Sequence, residues 1–259
     1  MPPLDLFLYI FPFVFGTIIG SFLNVVIYRF HTGVSIGGRS QCLSCGVKLS
    51  PCDLIPLASF IFSRARCRSC TSRLSWQYPL VELSAGALTA LVVWKFLPLG
   101  IFSPSGEIGR VLLYLAIVYL LILIAVYDLR HKIIPNLFVY SFVALAFVVC
   151  LAVEDFSWSD LFAGPLFFLA FASVWYFSSG RWMGLGDAKL ALGIGFLLGF
   201  AAGLDALLLA FSIGGAVSLL LLSLRRTSIT LKSEIPFAPF LILGALIEFF
   251  VRIPLLLFS

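Results

Sequence analysis

The sequence predicts an all-α polytopic membrane protein of about eight transmembrane helices, with a small zinc-binding loop domain between helices 1 and 2. Of its 259 residues, 61% are hydrophobic and 11% are charged, whereas soluble domains have roughly 45–50% apolar and about 25% charged residues. The apolar residues form runs long enough to span a bilayer, which takes about 20 residues. The longest polar stretch carries two Cys-x-x-Cys pairs. These three observations together define the fold class.

Eight apolar runs are candidate spans. They cover residues 6–28, 80–98, 110–127, 134–153, 161–178, 188–203, 205–224 and 237–258. The N-terminus lacks a basic region, and the first run is too long for a cleavable signal peptide, so we expect it to remain as a helix. The sixth run is short, and its boundary is the least defined of the eight.

The net charge of +5 would suit nucleic acid, but the positions of the basic residues favour a membrane topology instead. Seven of the 17 Lys and Arg residues lie between the first and second spans, and seven more follow spans three, five and seven. The opposite loops carry mainly acidic residues. By the positive-inside rule we expect both termini outside and the long first loop in the cytoplasm. We expect no nucleic-acid partner.

The loop from about residue 29 to 79 contains Cys42-Leu43-Ser44-Cys45 and Cys67-Arg68-Ser69-Cys70. Each pair supplies two thiolates from one tight turn, which suits tetrahedral coordination of Zn²⁺. Disulfide bonds are the alternative, but a cytoplasmic loop is kept reducing. We therefore predict one zinc site formed by Cys42, Cys45, Cys67 and Cys70, with Cys52 as a spare ligand. The metal would supply most of the folding free energy of so small a domain.

Two carboxylates end or begin apolar runs at the predicted cytoplasmic side. Asp128 closes the third span, and Asp187 follows a bend in which Gly184 and Gly186 let the backbone turn sharply and be approached closely. A carboxylate at a membrane edge is costly unless it is solvated, paired or used, so both are functional candidates. A misplaced span between them would put them on opposite faces.

Two other polar residues have open alternatives. Asn24 belongs to a face of small and polar residues in the first span, which serves either helix packing or, with Ser21, a polar pocket. Glu82 follows Pro79 in the first turn of the second span, where a carboxylate either caps the helix or takes part in catalysis.

Six motifs, in this order, resemble those of bacterial type IV prepilin peptidases, which are GxGD-type intramembrane aspartyl proteases. They are Gly20-Ser21-Phe22-Leu23-Asn24-Val25-Val26-Ile27-Tyr28-Arg29, the double Cys-x-x-Cys loop with Asp53-Leu54-Ile55-Pro56, Tyr78-Pro79-Leu80-Val81-Glu82-Leu83, Asp128 with Ile134-Pro135-Asn136, Gly184-Leu185-Gly186-Asp187, and Ile235-Pro236-Phe237-Ala238-Pro239. The similarity extends over nearly the whole chain.

The resemblance implies an aspartic endopeptidase of the bacterial inner membrane, with Asp128 and Asp187 as a catalytic dyad. Its substrates would be type IV prepilins or type II secretion pseudopilins, whose basic leader is cut after a glycine at the cytoplasmic face. It also implies methylation of the new N-terminal amine, with S-adenosylmethionine as donor. Two carboxylates held close share one proton, so one activates water while the other polarises the scissile carbonyl.

Two other functions are compatible with the same residues. Asp128 and Asp187 could relay ions in a transporter or channel, or the chain could be a metal-binding scaffold with inert aspartates.

For the enzyme we expect a first helix at 1–28, a zinc domain at 29–79 that forms the methyltransferase part with that helix, and a peptidase domain at 80–259.

Overall fold

A computed structural model describes residues 3–32, 35, 37–97, 106–152, 157–223 and 236–252. Its helices are α1 (Pro3–Arg29), α2 (Ala58–Phe62), α3 (Gln77–Phe96), α4 (Gly106–His131), α5 (Asn136–Ala152), α6 (Trp158–Ser178), α7 (Leu185–Ser223) and α8 (Ala238–Val251), with a 3₁₀ turn at Pro51–Leu54. The β structure among the described residues consists of two isolated bridges, Gln41–Lys48 and Arg66–Arg73. The prediction of an all-helical chain is confirmed in this form.

Five helices of the described part are long and apolar enough to cross a membrane. They are Ile10–Arg29 of α1, all of α3, Ile108–His131 of α4, all of α6 and all of α7. Helices α5 and α8 are apolar but shorter. A helix satisfies all its backbone hydrogen bonds internally, which is why apolar runs of this length adopt it in a bilayer.

The chain divides into two compact units, residues 1–123 and 124–259, with the boundary inside α4. In the first unit α1 packs closely against α3. A Cβ added at Gly20 would lie 2.8 Å from the Cα of Glu82, and one at Gly86 would lie 3.0 Å from the carbonyl oxygen of Phe13. Gly20 of the first span and Gly86 of α3 therefore allow close helix packing.

In the second unit the chain reverses direction at Gly199, within the stretch assigned to α7. Gly199 has φ 77° and ψ −171°, a conformation open to glycine because it has no Cβ. Gly199 faces Asp160, whereas Gly195 faces Gly164 and Gly203 faces Phe167. On both sides of Gly199, the contacts of α7 move from Asp160 towards the C-terminal end of α6. The two halves of α7 therefore run in opposite directions.

The two halves correspond to the predicted sixth and seventh spans, but the break differs from the prediction. We expected it between residues 203 and 205, and the non-helical residue is Gly199. The charged residue of this region, Asp205, favoured the later position, but the structure buries it within α7. The reversal depends instead on the fit of Gly199 against the Asp160 side chain.

The reversal leaves several helix termini at one end of the second unit. The start of α7 contacts the start of α5, where Gly186 meets Ile134, and Gly214 near the end of α7 faces Phe237 and Phe240 at the start of α8. The loop joining α7 to α8 carries the predicted cytoplasmic residues Arg225, Arg226 and Lys232 and begins the last motif at Ile235. These four residues, with Glu154 and Asp155 of a predicted outer loop, lie outside the described residues.

Candidate active site and candidate metal centre

Asp128 lies in the last turn of α4, and its side chain is only 5% exposed. A carboxylate near a helix C-terminus faces the negative end of the helix dipole and needs a donor to offset it. The backbone N–H of Ala238, the first residue of α8, donates a hydrogen bond to this carboxylate. The start of α8 thus supplies one of its free N–H groups to the end of α4.

Asp187 is the third residue of α7 and is 8% exposed. Its Oδ2 accepts a hydrogen bond from the Gly184 N–H at 3.3 Å, while its own N–H donates to the Gly184 carbonyl at 3.1 Å. The two glycines before it have different surroundings. A Cβ at Gly186 would lie 3.0 Å from Ile134, whereas the nearest atom at Gly184 is Asp187 Oδ2 itself, 3.5 Å away. Gly186 therefore allows α7 to approach α5, and Gly184 forms the turn that holds the carboxylate.

The structure brings Asp128 and Asp187 together at one end of the second unit. The charge of Asp128 acts directly on the carboxyl group of Asp187, and both side chains are buried. Two buried carboxylates that act on each other's charge cannot both ionise cheaply, so the arrangement favours one ionised and one protonated member. The arrangement can therefore supply one general base and one general acid to the same bond.

Lys189, two residues after Asp187, belongs to the basic residues that follow the fifth predicted span. Its Nζ donates to Oδ1 of Asn136 at 2.7 Å and lies 5.0 Å from the centre of the Tyr140 ring. The contact joins the first turn of α5 to the first turns of α7, just beyond Asp187. Asn136 belongs to one sequence motif, and Lys189 lies two residues after another motif. Their spacing in the sequence does not indicate that they form a pair.

The four predicted zinc ligands form a cluster in the first unit. The Sγ atoms of Cys42, Cys45, Cys67 and Cys70 all lie within 4.8 Å of one another, and those of Cys42 and Cys70 are 3.9 Å apart. A tetrahedral zinc site with Zn–S bonds of about 2.3 Å places its sulfurs roughly 3.8 Å apart. The donor set fits zinc, while Cys52 is exposed and lies outside the cluster.

The two cysteine pairs sit in turns of the same design. The N–H of Cys42 donates to the Val47 carbonyl and its carbonyl accepts from Gly46, and Cys67 makes the equivalent bonds with Ser72 and Thr71. A β-bridge closes each turn. The chain thus presents two thiols from each of two matching loops, as the Cys-x-x-Cys spacing indicates.

The protonation of the thiols differs within the cluster. Backbone N–H groups of Cys45 and Ser44 lower the pKa of the Cys42 thiol to about 6. The backbone bond from Val47 lowers the pKa of Cys45, but desolvation and the neighbouring thiols of Cys70 and Cys42 outweigh it and raise the value to about 11. A metal needs thiolates, so its binding releases protons from this set.

Glu82 and Asn24 lie in the first unit and connect its loop to its helices. Glu82, 7% exposed, accepts the Leu57 N–H through Oε2 at 2.8 Å and a further hydrogen bond from Ser21. Asn24 Nδ2 donates to the Tyr78 carbonyl at 3.2 Å. Glu82 is thus used between α1 and the loop, and Asn24 joins α1 to α3. The structure does not place them in the same unit as Asp128 and Asp187.

Comparison with known proteins identifies the family. Residues 14–96 match the Bacterial Peptidase A24 N-terminal domain, and residues 115–219 match the Type IV leader peptidase family. The chain is 32% identical over 244 residues to the prepilin leader peptidase/N-methyltransferase of Bacillus subtilis, which covers 92% of each chain. The chain belongs to the type IV leader peptidase family.

Other members of the type IV leader peptidase family show the same relationship. Proteins named prepilin leader peptidase/N-methyltransferase from Myxococcus xanthus and Vibrio cholerae are 35% and 29% identical over 220 and 251 residues. These matches cover 82% and 90% of this chain and 63% and 92% of the relatives. No solved structure matches the chain significantly. The family predicted from the motifs is confirmed.

Proposed function

We propose that this chain cleaves the leader peptide of type IV prepilins or type II secretion pseudopilins and N-methylates the residue exposed by the cut. The observation that carries the proposal is the buried, electrostatically coupled pair of Asp128 and Asp187, which lies within the stretch that matches the leader peptidase family. The relatives described above are named for both activities. Such a pair suits hydrolysis of a peptide bond better than ion relay, which needs carboxylates distributed along a path.

Cleavage uses the shared proton of the pair. One carboxylate, ionised, takes a proton from a water molecule, which then attacks the carbonyl carbon of the glycine that ends the leader. The other, protonated, donates a hydrogen bond to the carbonyl oxygen and later returns a proton to the leaving amine. Burial keeps competing water away and strengthens these interactions. Gly184 and Gly186 support Asp187, the first by its N–H and the second by allowing close packing on Ile134.

We infer an eight-span topology, with both termini outside and the zinc loop and both aspartates in the cytoplasm. A continuous helix over the 39 residues of α7 would be nearly 60 Å long, about twice the roughly 30 Å hydrocarbon thickness of a bilayer. The reversal at Gly199 supports two crossings instead. With α5 and α8 also crossing, the basic loops lie together on one side, the cytoplasmic side of the inner membrane.

Zinc and S-adenosylmethionine are the cofactors of the proposal. The tetracysteine cluster would hold zinc and stabilise the loop of the first unit, with no part in the cleavage step. The same loop and α1, which match the family's N-terminal domain, form the proposed methyltransferase part. A carboxylate there could orient the substrate amine towards the methyl donor, and Glu82 is the candidate.

The experiment is cleavage of a prepilin-derived peptide by the purified, full-length protein in detergent. We expect Asp128→Asn and Asp187→Asn each to lower the cleavage rate on the order of a thousandfold or more, because an amide can neither accept nor return the proton. Asp160→Asn is the matched control. Asp160 Oδ1 accepts the Phe200 N–H at 3.2 Å, a role that an amide oxygen retains, so cleavage should persist. Near-full activity of either dyad variant would exclude the proposal.

A further inference from the structure

Residues 51–57 lie alongside α1 and α3, although they belong to the polar loop. The Leu57 N–H bonds to Glu82 at 2.8 Å, and Glu82 is five residues inside α3, about 8 Å along its axis. Leu57 has φ 60°, which is rare for a bulky residue and persists only where the surroundings hold it. The start of α2 is thus fixed beside Glu82, further along the α3 axis than the residue at which α3 begins.

A groove beside this segment continues the membrane-facing surface of α1. It has a volume of about 670 Å³ and lies between α1 and residues 51–57, with Val14, Ile18 and Phe22 in its α1 wall. These three residues are 47–54% exposed and recur every four positions, so they form one lipid-facing stripe. Leu54 and Ile55 on the opposite wall are 41% and 51% exposed. The loop segment therefore adds apolar surface next to the exposed apolar face of α1.

The end of α2 presents larger apolar side chains. Ile61 is 70% exposed, Phe62 is 80% exposed, and Trp76, just before α3, is 69% exposed. Phe60 between them is buried and packs on the Trp76 ring with centroids 5.1 Å apart. Aromatic residues near the end of a transmembrane helix are typical of the boundary between lipid headgroups and acyl chains. In water, so many exposed large apolar groups in one short segment would be unfavourable.

The same loop has a strong excess of positive charge. Residues 29–79 contain seven Lys and Arg residues and a single acidic residue, Asp53, and Asp53 is paired with Arg68 at 3.0 Å. Arg64 and Arg66 lie two and four residues after Phe62. A basic cluster next to a membrane-inserted apolar edge is complementary to anionic lipid headgroups. It is not complementary to a basic leader peptide.

We propose that residues 51–66, together with Trp76, form an interfacial segment that inserts Ile61 and Phe62 into the leaflet and binds anionic phospholipid headgroups through Arg64 and Arg66. The depth fixed at Leu57 sets how far the segment enters. The apolar edge supplies insertion, and the arginines supply preference for anionic lipid. This inference goes beyond the proposed catalysis and does not depend on it.

The test uses the full-length protein in nanodiscs of brominated lipid, which quenches nearby tryptophan. Phe62→Trp is compared with the unsubstituted chain, so that the added fluorescence reports residue 62. Phe22→Trp, on the lipid-facing stripe, gives the extent of quenching expected for a fully inserted residue. We expect the tryptophan at 62 to be quenched by brominated lipid and shielded from iodide in the water. Ile61→Trp repeats the measurement in case Phe62→Trp fails to fold.

Lipid preference is measured by brominating either the anionic or the neutral lipid. We expect the anionic lipid to quench more strongly than the neutral lipid at equal mole fraction. In the double variant Arg64→Gln with Arg66→Gln, this preference for the anionic lipid should fall by on the order of fivefold per arginine. Arg110→Gln, at the start of α4, is the control and should leave the preference unchanged. Quenching of the tryptophan at 61 or 62 by iodide but not by brominated lipid would overturn the proposal. Shielding of that tryptophan from both quenchers would also overturn it, because it indicates that protein covers the site. Equal quenching by both lipids would overturn the headgroup assignment.

Discussion

At the residue scale, the two proposed activities depend on carboxylates in different surroundings. Asp187 is held by the Gly184 turn and faces the like charge of Asp128, all in the second unit. Glu82 is held by Leu57 and Ser21 in the first unit. Each carboxylate thus has its hydrogen-bond partner within its own unit. Substitutions at the two positions should therefore separate the activities.

We predict that Asp187→Asn still methylates a precleaved peptide with a free N-terminal phenylalanine, although it no longer cleaves intact prepilin. Glu82→Gln should cleave intact prepilin but methylate the precleaved peptide about a hundredfold more slowly, since a neutral amide orients the amine less well. Both reactions are measured on the purified variants, with methyl transfer followed from labelled S-adenosylmethionine. If folded Asp187→Asn fails to methylate the precleaved peptide, the two reactions share one site. If Glu82→Gln fails to cleave, Glu82 has no separate methyl-transfer role.

At the element scale, the glycines of α7 differ sharply in what they contact. A Cβ at Gly195 would lie 2.5 Å from the backbone nitrogen of Gly164 in α6, whereas at Gly215 no atom lies within 4 Å. The backbone of α6 cannot move aside without shifting the helix. Only the first position therefore sets how closely two helices approach.

We predict that Gly195→Ala destabilises the protein by about 1–3 kcal/mol through overpacking. Gly215→Ala should be neutral or stabilising by up to about 1 kcal/mol, because alanine is the better helix former and the space is open. Thermal unfolding of the detergent-purified variants measures both. Equal stability of the two variants would mean that α6 and α7 are not packed as described.

The zinc loop is the second element whose stability can be tested directly. We predict one zinc per chain, lost when Cys67→Ser and Cys70→Ser are combined, because two of four thiolates cannot retain the ion tightly. Cys52→Ser should keep a full equivalent, since Cys52 is exposed and outside the cluster. Metal analysis of purified protein gives the stoichiometry. Full zinc retention by the double variant would refute the assignment.

At the scale of the whole molecule, topology decides whether the aspartates face the cytoplasm. Cysteines introduced one at a time can be labelled with an impermeant maleimide in vesicles of known orientation, and the unsubstituted chain gives the background labelling of the native cysteines. We predict that Ser159→Cys and Ala201→Cys are labelled from outside, and Arg181→Cys and Ser223→Cys from the cytoplasmic side. A single crossing by α7 would instead put residue 223 on the side opposite to residue 181.

Composition and local pattern determined much of this protein. Long apolar runs have to form helices in a bilayer because their backbone groups find no other partners there, so the helices followed from the sequence. The two Cys-x-x-Cys turns are local, and their spacing predicted the cluster that the structure shows. The alternation of basic and acidic loops placed Asp128 and Asp187 on one side, and the structure brings them together. Their catalytic part stays a proposal.

The tertiary structure decided contacts between residues far apart in the chain. The reversal at Gly199, the Ala238 N–H on Asp128, the Lys189 bond to Asn136 and the Glu82 bond to Leu57 all join segments whose separation in sequence carries no signal. Hydropathy and spacing act within a few turns of one helix, whereas these contacts depend on which faces pack together and how closely. The sequence therefore determined which groups are available, and packing decided which of them meet.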